Sequence, residues 1–297
     1  MPFLPFSEPV QALVAINLLL TLSLLFPFAS GVWSLGMSGF MATGAYAAGY
    51  ATTVWGWDPA PAIVLGALAG CVSTLPVGLL ATRVRGIYLS IATLAEAELI
   101  ILFFAHFEPT GDVMGMTGMP YVGAGPIVLC AVAALALSAW LFAARLGKAL
   151  IAAGSDPVVA SCCAVNVPAV RAACLAISGV LAGLAGGFFA HFYSFISPAN
   201  FAASRVVDDL MFLVVGGLTP LGAAVGAVGL TLLPQVSGGL ELWAPAIYGL
   251  VVITTMAVAP GGLFPKNRLA GLVRRRTRTT AAAARRRCLV PADGYFE

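Results

Sequence analysis

At 297 residues the chain is long enough for two soluble domains, but 60% of it is hydrophobic and only 9% is charged, about a third of the charged fraction of an ordinary soluble protein. That composition excludes a water-soluble fold. The charge is also segregated: residues 1–265 carry six basic and ten acidic side chains and net −4, whereas residues 266–297 carry nine basic and two acidic ones and net +7.

Charge-free windows at residues 9–57, 59–82, 113–144, 172–204, 210–240 and 242–265 are continuous apolar runs without the alternation of a strand barrel, and most can cross a bilayer as helix, which takes about 20 residues. The expected fold class is all-α, a polytopic transmembrane helical bundle of about 8 to 10 membrane segments that includes broken or re-entrant half-helices.

In chain order, residues 10–28 read as a retained first span, because Met1 to Pro9 lacks the basic start of a signal peptide. Residues 31–50 read either as a full span or as a half-helix, which leaves the side of the N-terminus open. Basic residues then gather at Arg83, Arg85, Arg145, Lys148 and Arg171, while Asp58, Glu108, Asp112 and Glu241 occupy the other short connections. The positive-inside bias places the basic set in the cytoplasm. Spans therefore run inward over 59–82, outward over 87–106, inward over 125–144 and outward over 172–191.

Glu96 and Glu98 stand within a predicted span, where a carboxylate costs on the order of 2.5 to 3.5 kcal/mol unless it meets a cavity or a partner. Two residues on a helix turn through about 200°, so the pair cannot form an acid/base dyad. Either one lines a path while the other contacts a neighbouring subunit, or both are held locally by Thr93 or by backbone. Residues 145–171 form the one substantial cytoplasmic loop, with Asp156 as N-cap ahead of Pro157. A short helix outside the bundle is expected there, docking a partner or lying along the membrane.

Asp208 and Asp209 precede the apolar run 210–215, at the expected outer edge of a half-helix whose dipole they would complement. A D-D-x-x-D magnesium motif is excluded, since Leu210, Met211 and Phe212 follow. If residues 205–235 crossed once, the last span, 242–260, would strand the basic tail outside. A broken or re-entrant pair of half-helices restores it, and Gly216-Gly217-Leu218-Thr219-Pro220 offers the break. A single kinked helix is the other reading. Glycines four apart, at Gly66 and Gly70, at Gly179, Gly183 and Gly187, and at Gly222 and Gly226, indicate close helix packing.

Chemistry-bearing motifs are absent. The cysteines Cys71, Cys130, Cys162, Cys163, Cys174 and Cys288 show no C-x-x-C spacing. His106 and His191 read as interfacial residues rather than metal ligands. Gly147-Lys148 is followed by Ala149 and is no phosphate loop. The chain is expected to be no enzyme, and to hold no metal and no cofactor of its own.

Several motifs in order then carry a resemblance. Ser34-Leu35-Gly36 is followed by Gly44-Ala45-Tyr46, and Arg83-Val84-Arg85-Gly86-Ile87-Tyr88-Leu89 runs into Thr93-Leu94-Ala95 and Glu98. Gly147-Lys148-Ala149-Leu150 precedes Asp156, Ala160 and Val165-Asn166-Val167. Ser197-Pro198, Gly216-Gly217 and Pro260-Gly261-Gly262-Leu263-Phe264 complete the series. Together they resemble the inner-membrane permease subunits of branched-chain amino acid ABC transporters over residues 31–265. The resemblance implies a permease domain over 1–265 with a cytoplasmic coupling loop at 145–171, and a multi-pass location in a bacterial inner membrane. It also implies a second homologous permease, two cytoplasmic ATPase subunits that use ATP and magnesium, and a periplasmic substrate-binding protein.

On this reading Ser34, Met37, Thr93, Glu98, Asp208, Gly216 and Gly217 belong to the substrate pathway, and Gly147, Lys148, Asp156, Ala160 and Asn166 to the ATPase coupling loop. Three departures from the family pattern stand out. The coupling loop is poor in charge, Met37 replaces a usual polar residue, and Glu96 and Asp209 are additional acids. The solute is therefore a branched-chain or related hydrophobic amino acid, or else urea, an amide or an aromatic acid. A stand-alone ion-coupled carrier using Glu98 or Asp208 is the main rival, and a non-transporting scaffold a third class. The low-complexity tail, 266–297, is expected to be disordered and cytoplasmic, and to attract anionic lipid at about 1 kcal/mol per basic residue rather than nucleic acid.

Overall fold

The computed structural model describes residues 7–84, 86–236 and 244–258. Arg85, Glu241, Cys288 and the basic tail lie outside them. The first helix, α1 (Glu8–Ala29), is apolar over most of its surface, as a core helix or a membrane span is, and here it is enclosed. Ile16, Leu19, Leu20, Leu22 and Leu25 are fully buried. Around it stand α6 (Ala124–Ala143), α9 (Val167–Tyr193), α10 (Ala203–Gly216) and α11 (Pro220–Val236).

After α1 the chain leaves helical geometry over residues 30–36 and resumes as α2 (Met37–Thr53). The intervening backbone lies along α5 (Ile87–Ala105), which supplies its missing hydrogen bonds. Ser90 donates its hydroxyl to the Trp33 carbonyl at 2.7 Å, and the Leu35 backbone N–H donates to Thr93 Oγ1 at 2.9 Å. Irregular backbone at membrane depth is tolerated only when satisfied in this way. The segment 31–50 is thus an extended approach followed by a helix.

Between these come α3 (Pro59–Ser73) and α4 (Leu75–Arg83), successive halves of one apolar run that breaks at Thr74, whose hydroxyl turns back to the Cys71 carbonyl at 2.7 Å. Among the described residues five runs are long and apolar enough to cross a membrane unaided: Glu8–Ala29, Pro59–Ala81, Ile87–Ala105, Ala124–Ala143 and Val167–Tyr193. With α2, α10, α11 and α12 (Ala244–Val258) they make an all-α polytopic membrane bundle. Two short strands, β1 (Met116–Thr117) and β2 (Phe195–Ile196), pair antiparallel and tie the α5–α6 connection to the chain leaving α9.

The bundle has an acidic and a basic end. Glu8 Oε1 accepts from the Ala124 backbone N–H and from the Tyr121 hydroxyl, both at 3.1 Å, so α1 and α6 start at the same end. At the other end Gly31 packs on Gly154 of α7 (Arg145–Ser155). Glu8, Asp58, Glu108 and Asp112 mark the first end, and Arg83, Arg145, Lys148 and Arg171 the second. The side left open by the sequence is thereby fixed relative to the charges, with the start of α1 at the acidic end.

α10 and α11 form a helical hairpin. Added Cβ atoms would strike the Gly222 carbonyl from Gly216 and the Phe212 carbonyl from Gly226, an antiparallel register. The chain reverses at Gly217, whose φ of +97° suits glycine, and Thr219 Oγ1 accepts from the Gly222 N–H at 3.1 Å. The expected break is present, and the single kinked helix is not.

Two triplets of helices now match with opposite direction. In α1–α2–α3 and in α9–α10–α11 a long helix is followed by an approach that is not α-helical, a shorter helix and a returning helix. α9 packs on α2 and α3 as α1 packs on α10 and α11, and α1 and α9 lie against each other. α5 flanks α2 as α12 flanks α10. This is an inverted-topology repeat about a pseudo-two-fold axis in the membrane plane.

Glycines set the closest approaches. A Cβ on Gly183 of α9 would lie 2.5 Å from the Gly66 carbonyl oxygen and 3.1 Å from Gly70 Cα of α3, and Gly44 of α2 abuts Gly183. Three backbones meet there because none carries a side chain.

Candidate functional site

The residues expected along a substrate path fall into three places. Ser34, Met37 and Thr93 come together where the α1–α2 connection crosses α5, and all three are buried. The Thr93 hydroxyl is engaged twice, donating to the Ser90 carbonyl at 3.0 Å and accepting from Leu35. Met37 Sδ receives the Ser23 hydroxyl at 3.7 Å. The trio is a packed joint at the start of α2.

Glu98 stands elsewhere. The inward face of α5 is Leu89, Ser90, Thr93 and Ala97, all buried. Glu98 is exposed near mid-helix, on the outward side with Ile91 and Leu102, which are 60% and 55% exposed. Glu96 is half-buried on the flank of the inward face, so the two carboxylates diverge as the helical spacing requires.

The third place is the α10–α11 hairpin, which holds Asp208, Gly216 and Gly217. The expectation that Asp208 and Asp209 sit at a helix N-terminus is corrected here. α10 starts at Ala203, so both acids lie beyond its first turn, and no side chain caps it. Arg205 occupies that turn instead. Its guanidinium donates to Asn17 Oδ1 at 3.2 Å and stands 5.3 Å from the centre of the Phe189 ring. Asn17 Nδ2 in turn donates to Thr231 Oγ1 at 3.1 Å. One polar chain thus joins α1, α9, α10 and α11. Asp208 is half-buried beside it, and Asp209, 1% exposed, has an Oδ2 atom without a hydrogen-bond partner. Sequence reasoning missed Asn17, Arg205 and Thr231, although an asparagine in the middle of a predominantly apolar first span was a signal to follow.

His191, two residues before the end of α9, is fully buried within the protein, with Nδ1 2.7 Å from the Gly187 carbonyl oxygen, whereas His106 is exposed. Among the described residues no group of three metal-ligating side chains occurs.

At the basic end, residues 145–162 fold as α7 and α8 (Pro157–Cys162). α7 is no free helix, because Gly147, Leu150 and Ala153 pack on the bundle. Asp156 caps α8 as its place before Pro157 implied, Oδ1 accepting from Val158 N–H at 2.9 Å and Val159 N–H at 3.2 Å. Ala160 is buried with Ala153 and Val167. Asn166 caps α9, its Oδ1 accepting from the Ala169 N–H at 3.2 Å, and Lys148 is exposed. Val158 and Val159, 69% and 58% exposed at the crest of α8, were not singled out from sequence. Gly154 of α7 lies against Ala29 and Gly31, so the α7–α8 hairpin bears on the joint that leads to Met37.

A family model described as the permease component of the branched-chain amino acid transport system matches residues 9–260. The chain belongs to this family. Its members are transport components and not enzymes. Two curated relatives bear the name high-affinity branched-chain amino acid transport system permease protein LivM. The one from Salmonella typhimurium is 25% identical over 276 residues, and the one from Escherichia coli 25% over 280 residues. Each alignment covers 80% of this chain and 65% of the relative, so the chain spans a little under two thirds of their length. No solved structure gives a significant match.

Proposed function

We propose that this chain is a membrane-spanning permease subunit of an ABC importer for branched-chain or related hydrophobic amino acids, located in a bacterial inner membrane. The basic end faces the cytoplasm. ATP and magnesium are used by two separate ATPase subunits, and a substrate-binding protein delivers solute at the acidic end. The observation that carries this reading is the contact of Gly154 with Ala29 and Gly31. Through it, the α7–α8 hairpin, with Val158 and Val159 exposed beyond the bundle, is linked to the α1–α2 joint. A force applied to the hairpin by a cytoplasmic motor reaches Ser34, Met37 and Thr93 directly.

Glu98 supports a second permease. A lone carboxylate left in lipid at mid-span costs on the order of 2.5 to 3.5 kcal/mol, and cover by a second subunit with a wet path between the two removes that penalty. Asp208, Gly216 and Gly217 line the same path from the hairpin side. Co-purification of ATPase subunits with this chain, and vanadate-sensitive uptake of leucine into vesicles, test the reading. Asp209 Oδ2, buried without a hydrogen-bond partner, favours the rival, an ion-coupled carrier. Uptake by the chain alone under a proton gradient decides for that rival.

A further inference from the structure

A cavity of about 380 Å³ opens at the basic end between the last turns of α4, the helix α8 and the first turns of α9. Its wall includes Gly78, Ser161, Val165, Asn166, Arg171 and Leu175. The volume lies in the range of small-molecule sites. Gly78 contributes nothing but backbone, and a Cβ there would meet no atom within 4 Å. On the adjoining side of α4, Leu75 and Leu79 are 62% and 74% exposed, a surface an acyl chain can follow outward from the cavity.

The charged contribution is cationic. Arg171 is half-buried in the wall, and Arg83, Arg145 and Lys148 share the same end of the bundle. A guanidinium in an otherwise mostly apolar hollow, at the level where helices leave the membrane, matches a phosphodiester that carries hydrocarbon with it. We propose that this cavity binds the headgroup of an anionic phospholipid of the adjacent leaflet, with Arg171 on the phosphate and the acyl chains along Leu75 and Leu79. Bound there, the lipid wedges α8 against α4 and α9. Its occupancy is independent of which solute the bundle carries.

The full-length chain purified in mild detergent is titrated with phosphatidylglycerol, phosphatidylcholine or glycerol 1-phosphate while thermal unfolding is followed. Phosphatidylglycerol is expected to raise the unfolding temperature and the other two to leave it unchanged. Arg171→Gln weakens the half-saturation point about tenfold or more, the loss of one charge-assisted contact. Gly78→Leu, which grows into open space, abolishes the effect without depending on a charge change. Arg83→Gln removes an equal charge at the same end but outside the cavity wall and retains the response. Equal stabilisation by phosphatidylcholine, an effect of glycerol 1-phosphate alone, or an equal loss in Arg83→Gln overturns the assignment. If Arg171→Gln does not fold, a full response in Gly78→Leu overturns it alone.

Discussion

Gly154 is the position at which a single atom is expected to separate motor from bundle. A Cβ there would fall within the contact distance of the Ala29 carbonyl oxygen, 3.1 Å from the Gly31 nitrogen and 3.2 Å from the Ala29 carbonyl carbon. All three are backbone atoms at the end of α1, which is enclosed by four helices and cannot rotate aside. Restoring ordinary contact needs a withdrawal of about 1 Å, and such overpacking costs about 1 to 3 kcal/mol when it is not relieved. α7 is the part that yields, since its buried face is Gly147, Leu150 and Ala153 alone. Gly154→Leu is therefore expected to insert into the membrane and unfold thermally much like the parent, yet to lose ATP-driven uptake in proteoliposomes and the stimulation of ATPase activity by substrate. Gly154→Ala should fall between. Full uptake with normal stimulation in the Leu variant would show that the hairpin does not act through this contact.

Three further outcomes are expected. Asn17→Leu deprives both Arg205 and Thr231 of a partner and should cost about 1 to 3 kcal/mol by thermal or denaturant unfolding. An unchanged transition would mean that the polar chain contributes nothing to cohesion. Gly183→Leu inserts a side chain between α9 and the backbones of α2 and α3, with a similar penalty or failure to accumulate in the membrane; wild-type abundance and stability would refute the three-backbone junction. Asp156→Ala removes the cap of α8 at a cost of about 0.5 to 2 kcal/mol locally, and Asp156→Asn should restore it. Amide exchange at Val158 and Val159 reports this, and equal protection in all three proteins would contradict the capping role.

What could be read from the sequence was local. The apolar runs placed the spans, Gly216-Gly217-Leu218-Thr219-Pro220 marked a reversal that the hairpin realises, and Asp156 before Pro157 announced a capped helix. Each of these depends on neighbours within a few positions. The polar chain through Asn17 does not, because its hydrogen bonds join residues 188 and 214 positions apart. Asp208 and Asp209 were misplaced because α10 begins at Ala203, where no capping side chain marks the start. His191 was the last residue of the expected span 172–191 and α9 ends two residues later, but the enclosure of its ring depends on neighbours distant in sequence. The inverted repeat is legible only in three dimensions, since it rests on which helices α1 and α9 contact.

On this reading the bundle is moved by a separate motor. Proteoliposomes holding the chain alone, and others holding it with a second permease, the ATPase subunits and the binding protein, can be compared for uptake of radiolabelled leucine. No accumulation is expected in the first, even under a proton gradient, and ATP-dependent, vanadate-sensitive accumulation in the second. Concentrative uptake by the chain alone would contradict it.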